Sequence, residues 1–182
     1  GVDWNESHGV HIIIIGYRQK DRRFWVEKKI VVPKSEFTQL AAMERIIEVN
    51  SLWNPSFIYA DAGFGDTQIQ ALRSYGKKYP ASGLAKKLKP VEMGGKIEVK
   101  DPIYGLIKKD TKPFMVNLCV RRLEQGECLL PESEYKREGT EGLVDQMLAF
   151  RVKKCTNEGR PIYDQTVDHT LTAWMLALFG FW

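Results

Sequence analysis

The chain of 182 residues is 43% hydrophobic and 27% charged, a composition typical of one globular domain with a buried core. No apolar run reaches the roughly 20 residues of a membrane helix, and three cysteines without Cys-x-x-Cys spacing argue against a disulfide framework or a structural zinc site. The net charge of +4 is uneven, because residues 77–122 hold 12 Lys and Arg against 4 Asp and Glu. This segment predicts a face for a polyanion, with an ordinary solvated surface as the alternative.

The first part of the chain predicts three strands. Residues 1–4 are a short strand, residues 10–17 are a continuous apolar run, and residues 23–32 follow after a charged turn. Short spacings between β-rich runs favour an antiparallel meander.

The middle of the chain predicts helices and strands in alternation. They are a helix over residues 33–54, a strand over 57–61, a helix over 68–79, and strands near 88–93 and 96–100. Ser35 is expected to cap the first helix, and Asp66 or Thr67 the second. A strand, a helix and a strand imply a right-handed parallel connection, so the sheet should be mixed.

The last third predicts a helix from Thr111 to just before Gly126, with Pro113 in its first turn. Residues 143–150 fit either a helix or a strand, residues 150–154 and 160–164 fit a hairpin, and residues 171–179 fit a buried terminal helix. The order of these elements is that of a ribonuclease H-like α/β fold. We expect a mixed sheet of five or more strands flanked by helices, with an added hairpin near the C-terminus.

Three aspartates stand at the boundaries of predicted elements. Asp3 is in the first strand, Asp61 ends the fourth, and Asp168 precedes the terminal helix. In the expected fold the first and fourth strands are parallel neighbours about 4.8 Å apart, so Asp3 and Asp61 can reach one metal ion. Asp168 would be kept ionised by the helix dipole. Carboxylate oxygens suit Mg²⁺ or Mn²⁺, and two-metal phosphodiesterases hold their ions about 3.5–4 Å apart.

Each aspartate also has a structural interpretation, and other chemistries find less support. Asp3 could cap a strand end and Asp168 could be a plain helix cap. His8 and His11 could form a metal pair, but they have no third nitrogen or sulfur ligand nearby. The spacing of a phosphate loop is absent around Gly94, as is a nucleophilic serine elbow.

Four stretches of the chain carry a resemblance to a known family. They are Gly-Val-Asp-Trp-Asn-Glu at residues 1–6, Ile-Tyr-Ala-Asp-Ala-Gly-Phe-Gly-Asp at 58–66, Leu-Leu-Pro at 129–131 and Asp-His-Thr-Leu-Thr-Ala-Trp-Met-Leu-Ala at 168–177. Together they resemble the C-terminal nuclease domain of the large terminase subunit of tailed bacteriophages. The resemblance covers essentially the whole chain, in order, and implies one nuclease domain over residues 1–182.

The resemblance implies an endonuclease that cuts concatemeric viral DNA during genome packaging, with two Mg²⁺ or Mn²⁺ ions bound by the three aspartates. The packaging ATPase would be a separate N-terminal domain, and the portal and small terminase subunit would be partners of the full protein. Such a protein would act in the host cytoplasm, outside the mature virion and away from membranes. A chain that opens directly on a strand, with neither an initiator methionine nor a signal peptide, is expected of a piece of such a protein.

Duplex DNA is the polyanion that the resemblance implies for the basic segment. Its phosphate contacts are expected at Lys86, Lys87, Lys89, Arg121 and Arg122. Contacts of this kind would give affinity without reading sequence, because the DNA backbone presents the same charge at every step.

The last motif departs from the family pattern at one position. Family members often have Asp-His-x-x-Asp-Ala there, whereas this chain has Thr172 at the second acidic position. Asp168 would then act as a ligand alone, with His169 orienting a water or a phosphate. Two alternatives stay open: a junction resolvase of the same fold, and a non-catalytic DNA- or portal-docking module whose metal site has decayed.

Overall fold

The computed structural model of the chain describes residues 1–5, 7–135, 142–164 and 167–182. Its strands are β1 (Val2–Asn5), β2 (Gly9–Arg18), β3 (Arg23–Val32), β4 (Ile58–Asp61), β5 (Leu88–Val91), β6 (Lys96–Asp101), β7 (Gly105–Asp110), β8 (Cys128–Leu129), β9 (Val152–Cys155) and β10 (Pro161–Tyr163). Its α-helices are α1 (Gln39–Trp53), α2 (Asp66–Lys78), α3 (Leu84–Lys87), α4 (Thr111–Glu124), α5 (Leu143–Ala149) and α6 (His169–Phe179).

A six-stranded sheet in the order β5-β4-β1-β2-β3-β8 forms the centre of the fold. β1 pairs with β2 antiparallel and with β4 parallel, and β2 pairs with β3 antiparallel. β5 and β8 add parallel strands at the two edges. The predicted mixed sheet is therefore confirmed, with β1 and β4 as central parallel neighbours.

Apolar side chains cover both faces of this sheet, because neighbouring residues of a strand point to opposite sides. In β2, Val10 and Ile12 pack on the face that carries α1 and α2. Ile13 packs on the other face, where α6 lies between the sheet and α4 and α5. Thr170 to Phe179 in α6 are all buried, as expected of a helix that is apolar on every side. None of the helices in the described ranges has the length and apolarity that a membrane crossing requires.

Several boundaries differ from the sequence predictions for local reasons. Thr38, not Ser35, caps α1: the Thr38 hydroxyl accepts a hydrogen bond from the Ala41 amide at 3.0 Å, while residues 34–36 form a separate 3₁₀ turn. Asp66 is the first residue of α2 rather than its cap, and Gly65 precedes it without a side-chain bond. The segment over residues 143–150 forms a helix, α5 (Leu143–Ala149), and the predicted hairpin near the C-terminus is β9–β10.

A second hairpin was not predicted as such. β6 and β7 pair antiparallel with each other, apart from the central sheet, and the predicted strand near residue 96 is its first arm. The hairpin leads directly into α4, so it lies next to the start of that helix.

Candidate active site

Asp3 and Asp61 lie side by side at one edge of the sheet. The register pairs Val2 of β1 with Ala60 of β4, so the next residue of each strand is an aspartate. Both carboxylates are nearly enclosed, with 5% of Asp3 and 7% of Asp61 exposed. Ligand sites in open α/β sheets lie outside the carboxyl ends of parallel strands, which is where these two residues stand.

The turn after β4 holds Asp61 in place. The Gly63 amide donates a hydrogen bond to Asp61 Oδ1 at 3.1 Å. At Gly65 a side chain would overlap the Trp4 ring and the Asp61 carbonyl, so only glycine allows this close return of the chain. The second glycine of the Ala-Gly-Phe-Gly sequence is thus required for the turn that follows the Asp61 carboxylate.

Asp168 reaches the same edge from the other side. It occupies the N-cap position of α6, and that helix packs against β1, β2 and β4. Its side chain makes no capping bond; instead Lys112 Nζ, in the first turn of α4, donates to Asp168 Oδ2 at 3.3 Å. The plain-cap interpretation of Asp168 is therefore not what the structure has, and Asp168 lies close enough to Asp3 for their charges to interact.

Burial and mutual repulsion shape the charges of this site. Burial raises the pKa of Asp3 to about 6, the hydrogen bond and charge of His169 oppose this, and the charges of Asp61 and Asp168 add to it. Burial also raises the pKa of Asp61, against the Gly63 hydrogen bond and the charge of Lys112. Interactions between charges weaken with distance. Because these charges shift the pKa values of Asp3 and Asp61, the three carboxylates and Lys112 form one electrostatically coupled group.

Three histidines border the aspartates. His169 Nδ1 lies 2.8 Å from Asp3 Oδ2, and the His169 ring centroid is 4.6 Å from that of His8 and 5.5 Å from that of His11. Burial lowers the pKa of His169, but the hydrogen bond to Asp3 and the charges of Asp3 and Asp168 outweigh it and raise the pKa overall. His169 can thus carry the proton that keeps Asp3 ionised.

His11 has a structural role rather than that of a metal ligand paired with His8. Its Nδ1 lies 2.8 Å from the hydroxyl of buried Thr170, which ties β2 to the start of α6. Burial lowers the pKa of His11 to about 4, so the ring is neutral at physiological pH.

The donor chemistry of the site fits a hard divalent cation. Asp3, Asp61 and Asp168 offer carboxylate oxygens, which Mg²⁺ and Mn²⁺ prefer. Across the described ranges, however, no group of three or more His, Cys, Asp or Glu side chains closes around one point. Asp168 Oδ2 is turned toward Lys112 and Asp3 Oδ2 toward His169, so a cation would have to draw the third carboxylate away from the lysine.

Thr172 lies one helical turn after Asp168 and is buried, with 6% exposed. Its amide donates to the Asp168 carbonyl at 2.7 Å as part of α6. At this position the chain offers a hydroxyl and no charge, so Asp168 is the acid that α6 brings to the site.

Two of the five predicted phosphate contacts, Lys87 and Arg122, are held by other side chains of the protein. Lys87 Nζ donates to Asn50 Oδ1 at 3.1 Å and to Asn54 Oδ1 at 2.7 Å, which fastens α3 to α1. Arg122 pairs with Glu127 at 2.8 Å and lies over the Phe24 ring. Lys86 belongs to α3, Lys89 to β5 and Arg121 to α4.

Lys112 is the residue of this site that sequence reasoning missed. Its ammonium lies 5.6 Å from the centroid of the Phe150 ring and 5.8 Å from that of Tyr163, and 56 residues separate it from Asp168 in the chain. A lysine in the first turn of a helix next to a proline is common on surfaces, so the sequence alone gives no signal for it.

A cavity of about 590 Å³ lies away from these residues, at the opposite edge of the sheet between the ends of β2 and β4. Its lining is largely apolar and includes Ile14 and Phe57, but not the three aspartates. This cavity is therefore separate from the candidate carboxylate site.

Comparison with known proteins identifies the fold. The structure is similar to the large terminase nuclease domain of bacteriophage SPP1, whose crystal structure contains bound Mn; the TM-score is 0.50 and the sequences are 14% identical. The match covers 100% of this chain and 85% of that one. No family model and no curated protein matches the sequence. The chain therefore has the ribonuclease H-like fold of a terminase nuclease domain.

Proposed function

We propose that this chain is a divalent-metal-dependent DNA endonuclease, the nuclease domain of a terminase large subunit. The observation that carries the proposal is the convergence of Asp3, Asp61 and Asp168, from β1, β4 and the start of α6, at one edge of the sheet. The fold likeness to the SPP1 domain also supports it. A further support is that the carboxylates stand where an open α/β fold places its ligands.

Asp3, Asp61 and Asp168 would hold the Mg²⁺ or Mn²⁺ ions, two of them in our proposal. When bound, such ions activate a water and stabilise the leaving oxygen of a phosphodiester. The protein's own groups prepare the ligands: the His169 ring shares a proton with Asp3, and the Gly63 amide orients Asp61. Lys112 neutralises Asp168 until a cation takes its place.

In the biological setting that we propose, the substrate is concatemeric viral DNA in the host cytoplasm, cut when packaging starts and ends. A preceding packaging ATPase domain, the portal and the small terminase subunit would be the partners of the full protein. The fold likeness to the SPP1 domain supports this setting, and the basic segment suits a DNA substrate.

Plasmid cleavage tests the proposal. Supercoiled plasmid should be nicked and linearised by the protein with Mn²⁺ or Mg²⁺ and stay intact with EDTA. Asp61→Asn should remove this activity, whereas Asp66→Asn, on the neighbouring turn of the same segment, should keep it. Cleavage that persists in EDTA, or in Asp61→Asn at the wild-type rate, would refute the assignment.

A non-catalytic DNA- or portal-docking module is the second candidate. Two observations favour it: Thr172 stands at the usual acidic position, and Lys112 already neutralises Asp168. Calorimetry that detects Mn²⁺ binding, combined with no plasmid cleavage at any metal concentration, would support this candidate over the endonuclease.

A further inference from the structure

A basic groove runs along α4 beside the β6–β7 hairpin. Its volume is about 500 Å³. We call it the α4 groove and define it by the residues that line it: Lys96, Lys108, Lys109, Asp110, Pro113, Phe114, Asn117, Leu118 and Arg121. Four of these residues are cations and one is an acid, so the charge of the lining is strongly positive.

The cations of the α4 groove are available to a ligand. Within the residues that the structure describes, no ion pair occupies Lys96, Lys108, Lys109 or Arg121. Glu98 lies opposite Lys108 in the hairpin register without pairing with it at ion-pair distance. The groove thus gathers four positive charges with no carboxylate of the described ranges at ion-pair distance, which favours a polyanion over a single small anion.

The acid of the α4 groove is itself neutralised. Asp110 Oδ2 lies 2.9 Å from Arg160 Nε, which belongs to the loop between β9 and β10. This ion pair joins the two hairpins at the side of the carboxylate site. It removes the negative charge that would repel a phosphate at the entrance of the groove.

The floor of the α4 groove is apolar. Phe114 and buried Leu118 form part of it, and the Lys109 ammonium lies 6.0 Å from the centroid of the Phe114 ring. A cationic wall over an apolar floor fits a nucleic-acid backbone, in which charged phosphates alternate with less polar sugars.

The α4 groove begins next to the aspartates. Lys112, in the first turn of α4, contacts Asp168, and Arg121 is nine residues further along the same helix. At 1.5 Å per residue this separation is about 14 Å. A DNA strand advances about 3.4 Å per nucleotide along the duplex axis, so the groove reaches about four base pairs away from the carboxylates.

We propose that the α4 groove binds the phosphate backbone of duplex DNA over about four base pairs on one side of the scissile phosphate. This inference rests on the proposed nuclease function and deepens it, because it assigns the DNA track to α4 and the β6–β7 hairpin. Of the phosphate contacts expected from sequence, this track contains Arg121, and it does not contain Lys86, Lys87, Lys89 or Arg122.

The test measures DNA binding without cleavage. Fluorescence anisotropy of a labelled duplex is recorded in EDTA over a series of salt concentrations, for the wild type and for the variant Lys96→Ala/Lys108→Ala/Lys109→Ala. Three lost phosphate contacts should reduce the slope of log affinity against log salt by about 2.7, and weaken binding by at least about tenfold at low salt. An unchanged slope in the folded variant would overturn the proposal.

A matched variant controls for net charge. Lys20, Lys77 and Lys78 are exposed lysines at the sheet edge opposite the aspartates, in the β2–β3 turn and at the end of α2. Replacing these three by alanine removes the same charge and should leave the slope within about 0.5 of the wild-type value. An equal loss of slope in both variants would mean that net charge, not the groove, determines binding. If the groove variant does not fold, Arg121→Gln should lower the slope by about 0.9.

The outcomes separate this inference from the proposed function. In the first outcome, the salt slope falls only in the groove variant, and the wild type cuts no plasmid with metal. This result would support DNA binding in the α4 groove and refute the endonuclease. In the second outcome, the wild type cuts plasmid and the salt slope of the groove variant is unchanged. This result would support the endonuclease and refute DNA binding in the α4 groove.

Discussion

Removing the Lys112 ammonium should strengthen metal binding. Its Nζ lies 3.3 Å from Asp168 Oδ2, and a divalent cation would have to displace it from that carboxylate. Methionine keeps most of the length and apolar volume of the lysine stem, so in Lys112→Met the packing against Phe150 and Tyr163 should persist while the charge is lost.

The size of the effect follows from the geometry of the pair. Coulomb's law at this separation gives about 1.3 kcal/mol in water and about 5 kcal/mol at an effective dielectric constant of 20. The side chains are 31% and 17% exposed, so screening and side-chain entropy reduce the net interaction to about 1 kcal/mol. Release of this competition corresponds to about a fivefold higher affinity for the metal.

Isothermal titration of the DNA-free protein with Mn²⁺ at pH 7.5 measures this change. Lys100→Met, the same substitution at an exposed residue of the β6–β7 hairpin, is the control and should titrate like the wild type. Unchanged or weaker Mn²⁺ binding in Lys112→Met would refute the reasoning that this lysine competes for Asp168.

Three further predictions concern the carboxylates. Asp61→Asn should abolish Mn²⁺-dependent plasmid nicking with an unchanged circular dichroism spectrum, because it removes a ligand charge at nearly constant shape. Asp168→Asn should lose nicking activity while Thr172→Ala retains it in the same assay, since only Asp168 offers a carboxylate. Asp3→Asn should raise the melting temperature in EDTA at pH 7.5 by several degrees, but not at pH 4. Burial raises the Asp3 pKa to about 6, so the stability linked to its protonated form is complete below about pH 4 and is lost as the pH rises through 6. The loss is at most about 3 kcal/mol.

Each of these predictions has an outcome that contradicts it. Wild-type nicking by Asp61→Asn would remove Asp61 from the metal ligands. Equal activity in Asp168→Asn and Thr172→Ala would mean that another acid closes the site. A melting temperature of Asp3→Asn that follows the wild type at both pH values would show that Asp3 is not the destabilising buried charge.

The central features of the site could be predicted because they follow from strand patterns. Asp3 and Asp61 belong to short apolar strands, and the connection through α1 allows only a parallel pairing of β4 with an earlier strand. Once β1 and β4 are neighbours, the two aspartates stand together. The position of Asp168 followed in the same way from the apolar run of α6, which has to be buried against the sheet.

The remaining features depend on contacts that leave no local pattern. Lys112 meets Asp168 across 56 residues, and β8 has two residues, too few for any periodicity. Ser35 and Thr38 are both good caps, and the choice between them depends on the 3₁₀ turn after Pro33. The second strand of the β6–β7 hairpin was not predicted, because Gly-Leu-Ile-Lys-Lys-Asp at residues 105–110 does not alternate between polar and apolar residues as a half-buried strand does.

The proposed metal ligands and Lys112 stand on parts of the fold that differ in how easily they open. Asp3 and Asp61 belong to central strands, where backbone amides exchange with solvent only when the whole domain unfolds. Asp168 and Lys112 stand at the first turns of α6 and α4, where the leading amides have no partner within the helix and fraying requires little free energy. The distance between Asp3 and Asp61 should thus be kept as long as the domain stays folded, whereas Asp168 can move when the start of α6 opens locally. Hydrogen exchange should show this division, with slow amides in β1 and faster ones at Lys112 and at residues 168–170.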